Sequence, residues 1–176
     1  MTYVYRLALV IHVFSAIVLV GSMYFNVAIL TPALNRIPPA QSAAVADKVG
    51  AGLRIAGPAS LLLLGLTGFL RLFDLRLLGR FFSVGFLTDS WTIAIPLWLM
   101  FISWFLLVIT GTLSAVWYEK ILAKKLPYTA GLRDLEERRA AQEKISAYQE
   151  RLNLLNTTLG VLAALGGSLF ASGLLN

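Results

Sequence analysis

Four long apolar stretches, separated by polar connections, constrain this chain more than any other feature. An α-helix needs about 20 apolar residues to cross a hydrocarbon layer of about 30 Å. Backbone groups in that layer have no water to bond, so a segment of this kind must satisfy them internally as a helix. The chain therefore reads as all-α, an integral membrane four-helix bundle forming one domain over residues 1–176. The spans fall at about 4–31, 53–73, 91–122 and 153–175, with a charged helical insert at about 126–152. The first apolar run, Val4 to about Leu30, is too long for the 7–15-residue core of a signal peptide and reads as a retained span.

Charge fits the same picture. Only 14% of residues are charged, where a soluble domain carries about 25%. The net charge of +6 comes from Lys and Arg beside the spans, which suits anionic lipid rather than nucleic acid. Eleven of the fifteen Lys and Arg lie between spans 1 and 2 or around the span 3–4 insert, from Arg36 through Lys124 to Arg151. The other side has Arg6, Arg71, Arg76 and Arg80. This bias predicts a multi-pass protein of a bacterial-type inner membrane, with both termini outside and the charged helix in the cytoplasm. Within the insert, Asp134 and Arg138, and Arg139 and Glu143, are four apart, as paired charges on a helix face are. That helix is expected to run into span 4. The connection 74–90, rich in Phe, is expected on the membrane surface.

Each span carries a stripe of small or polar residues at alternating steps of three and four, or seven. Span 1 offers His12, Ser15, Leu19, Ser22 and Asn26; span 2 offers Gly57, Leu61, Gly65 and Gly68. Span 3 offers Pro96, Ser103, Thr110 and Ser114; span 4 offers Asn153, Thr157, Gly160, Ala164, Gly167 and Ala171. Small residues at this spacing let helix backbones approach closely, which is how spans associate without a hydrophobic drive between them.

Chemistry is sparse. There is no cysteine, so disulfides, iron–sulfur clusters and thiolate metal sites are excluded on this chain. No acidic residue falls deep within a span, which argues against a proton-driven transporter. No nucleotide-binding glycine loop or hydrolase triad is visible. His12 is the sharpest candidate: it is the single histidine and lies about 12 Å into span 1. An imidazole there can ligate haem iron or copper, or it can simply be a buried side chain bonded to Ser15 or a carbonyl. Met100, at a similar depth in span 3, could supply a soft second ligand, and Arg6 could balance a haem propionate. A homodimer would instead bring two copies of His12 together.

The run from His12 to Gly21, followed by Asn26 and Leu30-Thr31-Pro32, resembles the first helix of the copper-resistance D family, whose wider group includes the HemJ-type protoporphyrinogen oxidases. The step Arg151-Leu152-Asn153 is similar to that of small four-span members. The resemblance implies a four-helix membrane bundle with haem b or copper in the outer half of span 1, and His12 as the ligand. Leu19-Val20 stand where the family has a tryptophan before the glycine, and span 3 has no lysine before Lys120. A second intramembrane histidine is missing too. These departures tell against porphyrinogen oxidation coupled to quinone. Three readings stay open: a non-enzymatic protein holding haem b or copper through His12, a cofactor-free scaffold or accessory subunit of a larger membrane complex, and the HemJ-like oxidase.

Overall fold

The computed structural model describes residues 3–89, 91–122 and 132–172. The beginning of the charged insert, 126–131, and the chain end, 173–176, lie outside the described residues. Among the described residues every regular element is a helix and no strand is present. Four helices are long and apolar enough to cross a membrane.

The first, α1 (Tyr3–Phe25), passes directly into a π-helical turn, Asn26–Leu30, and then into the short α2 (Thr31–Leu34). The sequence reading ends this span at Thr31 because Pro32 follows. The helix instead continues through Pro32 to Leu34. A proline cannot donate to the carbonyl four residues back, and its ring collides with it. The wider π turn removes the conflict by moving that carbonyl out of register. Thr31 seals the turn by bonding the Asn26 carbonyl with both its backbone N–H and its hydroxyl, the latter at 2.9 Å.

A short turn leads to α3 (Pro39–Asp74), one unbroken helix of 36 residues. Pro38 is its N-cap in extended conformation, and Pro39 occupies the first turn, where its missing N–H is no loss. Pro58 lies inside this helix and Pro96 inside α6 (Trp91–Leu122). The last helix, α7 (Leu132–Ser172), has 41 residues. At 1.5 Å per residue it is about 60 Å long, roughly twice the hydrocarbon thickness, so it cannot lie wholly within a bilayer. The apolar stretch that can span begins at Tyr148. The charges from Arg133 to Lys144 precede it, and Glu150 and Arg151 fall in its first turn.

The long helices meet pairwise in a ring: α1 lies against α3 and α7, α6 lies against α7 and α3. Two small cores result. One joins Leu19, Leu107 and Leu159, from α1, α6 and α7. The other gathers Leu72, Phe81, Phe86, Ala94 and Leu97 at the end of α3 and the start of α6. Most other large apolar side chains face outward, from Leu7 and Phe14 to Leu62 and Phe105. This inversion suits a helix set whose solvent is lipid.

The connection after α3 is folded onto the start of α6. It forms α4 (Leu78–Phe81) and α5 (Val84–Asp89). Phe81 and Phe86 are each only 1% exposed. Phe81 stacks on Trp98 with ring centroids 4.9 Å apart and meets Phe101 edge-on at 5.4 Å. The segment is an aromatic cap on the start of α6.

The end of α3 explains how the chain turns into that cap. Leu77 N–H bonds the Leu72 carbonyl at 2.9 Å and Arg76 N–H bonds the Phe73 carbonyl at 3.0 Å. This is the Schellman arrangement, which requires a left-handed residue just past the helix and often joins two apolar side chains around it. Leu72 and Leu77 belong to the same core cluster. The left-handed residue is Arg76, with φ of 56°, where glycine is the usual occupant. A non-glycine residue in that region is strained by about 1–2 kcal/mol. Arg76→Gly is therefore expected to raise stability by roughly 0.5–1 kcal/mol after the extra backbone entropy of glycine is counted. Thermal unfolding in detergent checks this. An unchanged or lower midpoint would mean that the arginine side chain stabilises the turn by as much as its backbone strains it.

Candidate functional site

His12 sits on α1, facing α3. Ser15 and Leu19, one and two turns on, are each 3% exposed, so the α1 stripe expected from the 3,4 spacing is the face that is buried. The His12 Nδ1 lies 2.8 Å from Thr67 Oγ1. The Thr67 hydroxyl in turn donates to the Leu63 carbonyl at 2.5 Å, within its own helix. A threonine hydroxyl has one proton. With that proton on Leu63, Thr67 Oγ1 accepts, and His12 Nδ1–H donates. Assigned from this geometry, the tautomer leaves the lone pair on Nε2. Gly68 borders the ring: a Cβ there would stand 3.5 Å from His12 Cε1.

Thr67 escapes sequence reasoning. A threonine among leucines and glycines looks like helix filler. Only the pairing of α1 with α3 places it 55 residues away in sequence yet opposite His12. Ser15, offered from spacing as a partner of His12, is buried but is not the residue that bonds it.

Met100 is placed on a different seam. A Cβ at Gly167 would meet its sulfur at 3.4 Å, and a Cβ at Gly166 would meet its Cγ at 3.0 Å. Met100 also packs against the core at the end of α3 and the start of α6, whereas His12 meets Thr67 and Gly68 of α3. Arg6 is exposed on α1. No described contact joins His12 to Met100 or to Arg6. Among the described residues no group of three or more His, Asp or Glu converges as a metal cage would require.

Two further polar side chains within the spans tie helices together, while Ser22, Thr112, Ser114, Thr157 and Thr158 bond carbonyls of their own helix. Trp104 Nε1 donates to the Leu61 carbonyl at 2.9 Å, joining α6 to α3. Its ring lies over Gly65, where a Cβ would come within 2.6 Å. Thr110 bonds Asn156 Oδ1 at 2.6 Å, joining α6 to α7. Gly160 faces Met23 and Val20 of α1, with the Met23 sulfur at 3.4 Å from the position of a Cβ. Arg54 pairs with Asp47 at 3.6 Å on the exposed start of α3, a contact worth at most about 1 kcal/mol.

The seam expected on the last span needs correction. Asn153, Ala164 and Ala171 are exposed. The face turned inward runs through Asn156, Leu159, Gly160, Gly166 and Gly167, rotated by about a fifth of a turn and keeping Gly160 and Gly167 of the expected set. Small residues crowd positions 160, 163, 164, 166, 167 and 171, so two registers fit the spacing equally. The choice falls to Gly166, the position that can approach the Pro96 carbonyl. Gly57 also departs from expectation, since a Cβ there would touch nothing within 4 Å.

Comparison with family profiles, curated proteins and solved structures finds no match to this chain.

Proposed function

We propose that this chain is a small multi-pass membrane protein, a four-helix bundle similar to the copper-resistance D family, that holds a haem b or a copper ion through Nε2 of His12. The observation that carries this reading is the bond from His12 Nδ1 to Thr67. An imidazole whose Nδ1–H is held by a fixed acceptor presents its other nitrogen as a ligand in a defined orientation, as metal-binding histidines do. A single histidine is enough to hold a haem from one side. The donor set suits that better than copper, which wants two or more protein ligands. Haem at this position would supply one-electron redox chemistry; His12 would hold the iron, and Arg6, near the same end of α1, would meet a propionate.

The test is the absorption spectrum of the detergent-purified protein before and after dithionite, with elemental analysis for copper. A Soret band, or bound copper, that is lost in His12→Ala supports the reading. A flat spectrum and no copper sinks it.

A second reading has its own support. The bonds His12–Thr67, Trp104–Leu61 and Thr110–Asn156 each join two helices. A bundle in which these polar side chains serve as brackets between helices suits a cofactor-free scaffold or accessory subunit, with the charged half of α7 as its contact to a cytoplasmic partner or a larger complex. This reading predicts co-purification of a partner and no chromophore. Both readings place the protein in a bacterial-type inner membrane with its termini outside. The chain has no cysteine, so Ala140→Cys supplies a unique label site. That cysteine is expected to resist an impermeant thiol reagent in intact cells and to react after lysis; labelling in intact cells reverses the orientation.

A further inference from the structure

An open cleft of about 610 Å³ lies where α1 begins and α3 ends, lined by Tyr5, Phe73, Asp74, Arg76, Leu78 and Gly79. The volume is in the range of small-ligand sites. Two features set it apart from an ordinary groove between helix ends. It presents one carboxylate and one guanidinium, and among the described residues neither has an ion-pair or hydrogen-bonding partner for its side chain. Among the described residues the arginine is the one non-glycine residue with a left-handed backbone, held at φ 56° by the turn after α3. Strain maintained by surrounding structure is a recurrent mark of ligand sites.

We infer that this cleft binds the headgroup of a zwitterionic phospholipid, with the phosphate on Arg76 and a primary ammonium on Asp74. Opposite charges left unpaired on the walls of one cleft complement a ligand that carries both signs. Arginine matches phosphate oxygens with a planar fork of donors, and a carboxylate accepts the hydrogen bonds of an ammonium. The position argues for a membrane lipid rather than a soluble zwitterion. The cleft lies at the ends of two spans, at the level of lipid headgroups. Its wall residue Phe73 is 62% exposed, and Phe69, Leu70 and Leu66, one and two turns back on the same face of α3, are exposed too and continue an apolar surface down the span. Acyl chains attached to a headgroup in the cleft would lie along it. Tyr5 and Phe73 supply the aromatic contact usual at the interface.

The inference rests on the membrane-spanning reading and not on His12, so a protein without haem or copper leaves it intact. The test is native mass spectrometry of the full chain released from detergent, after incubation with phosphatidylethanolamine or phosphatidylglycerol of matched acyl chains. The wild-type protein is expected to retain phosphatidylethanolamine at least several-fold over phosphatidylglycerol, which lacks the ammonium. Asp74→Asn should abolish that preference while phosphate-dependent retention persists. Arg76→Gly, which relaxes the turn and so does not threaten folding, should lower retention of both lipids about tenfold, the size of one lost charge-assisted hydrogen bond. Glycerophosphoethanolamine, the soluble headgroup without chains, should fail to displace the lipid at equal concentration. Equal retention of the two lipids by the wild type, unchanged retention in both variants, or full displacement by the soluble headgroup would each overturn the inference.

Discussion

Gly166→Ala is expected to destabilise the protein by about 3 kcal/mol, far more than a single methyl group normally does. The added Cβ would stand 2.8 Å from the Pro96 carbonyl oxygen and 3.3 Å from the Met100 backbone nitrogen. Both are main-chain atoms of α6 and cannot swing aside as a side-chain tip can. The clash can be relieved only by moving α6 away from α7, which loosens the contacts on either side. In lipid nothing compensates, because dispersion contacts between close-packed backbones are the main attraction between spans. Two controls bracket the effect. At Gly167 the nearest atom to a new Cβ is the Met100 sulfur at 3.4 Å, on a flexible side chain. Gly167→Ala should cost under 1 kcal/mol. At Gly21 nothing lies within 4 Å. Gly21→Ala should be neutral or slightly stabilising, since alanine is the better helix former by up to about 1 kcal/mol. Unfolding of the purified protein from mild detergent by a titration of dodecyl sulfate gives all three numbers. Similar values for Gly166→Ala and Gly21→Ala would mean that α6 and α7 do not approach this closely.

The same seam shows which parts of the fold are legible in the sequence. Span positions follow from apolar length, because lipid leaves a segment of this composition few alternatives. Trp91 opens α6 where the sequence places it. The inward face of α1 follows from spacing because His12, Ser15 and Asn26 are polar, and polarity picks out a single face. On α7 small residues stand at neighbouring registers, and no local rule ranks them; the partner's carbonyl at Pro96 does. Pro32 misleads because the rule that proline ends a helix is local, and a π turn evades it. The bond between His12 and Thr67 joins residues 55 apart, a pairing set by which helices touch rather than by anything near either residue. The cleft beside Arg76 hides for a similar reason. Its φ of 56° arises from the turn that folds the aromatic cap onto α6, and an arginine at the end of a span reads as an ordinary interfacial charge.

The pair His12 and Thr67 separates the two functional readings through opposite patterns of effect. If His12 is a ligand, His12→Ala removes the Soret band or the copper completely. Thr67→Val, nearly identical in shape, keeps the ligand but deprives Nδ1–H of its acceptor. The imidazole then loses its fixed orientation and tautomer, and cofactor affinity should fall about 10- to 100-fold, as for other second partners of metal-bound histidines. Stability of the empty protein changes less than occupancy does. If His12 is only a bracket between α1 and α3, occupancy has nothing to report and stability carries the whole effect. Thr67→Val then strands the His12 Nδ1–H in a medium of low dielectric and costs about 1–3 kcal/mol, while His12→Ala leaves Thr67 its bond to Leu63 and costs through the lost bond and the space it opens. The double variant, with both partners removed, should be nearer the wild type than the sum of the singles. That coupling, measured in the same dodecyl sulfate titration, is the signature of a bond kept for structure. A chromophore that survives His12→Ala would refute the ligand role, and additive stability losses with no chromophore would refute the bracket.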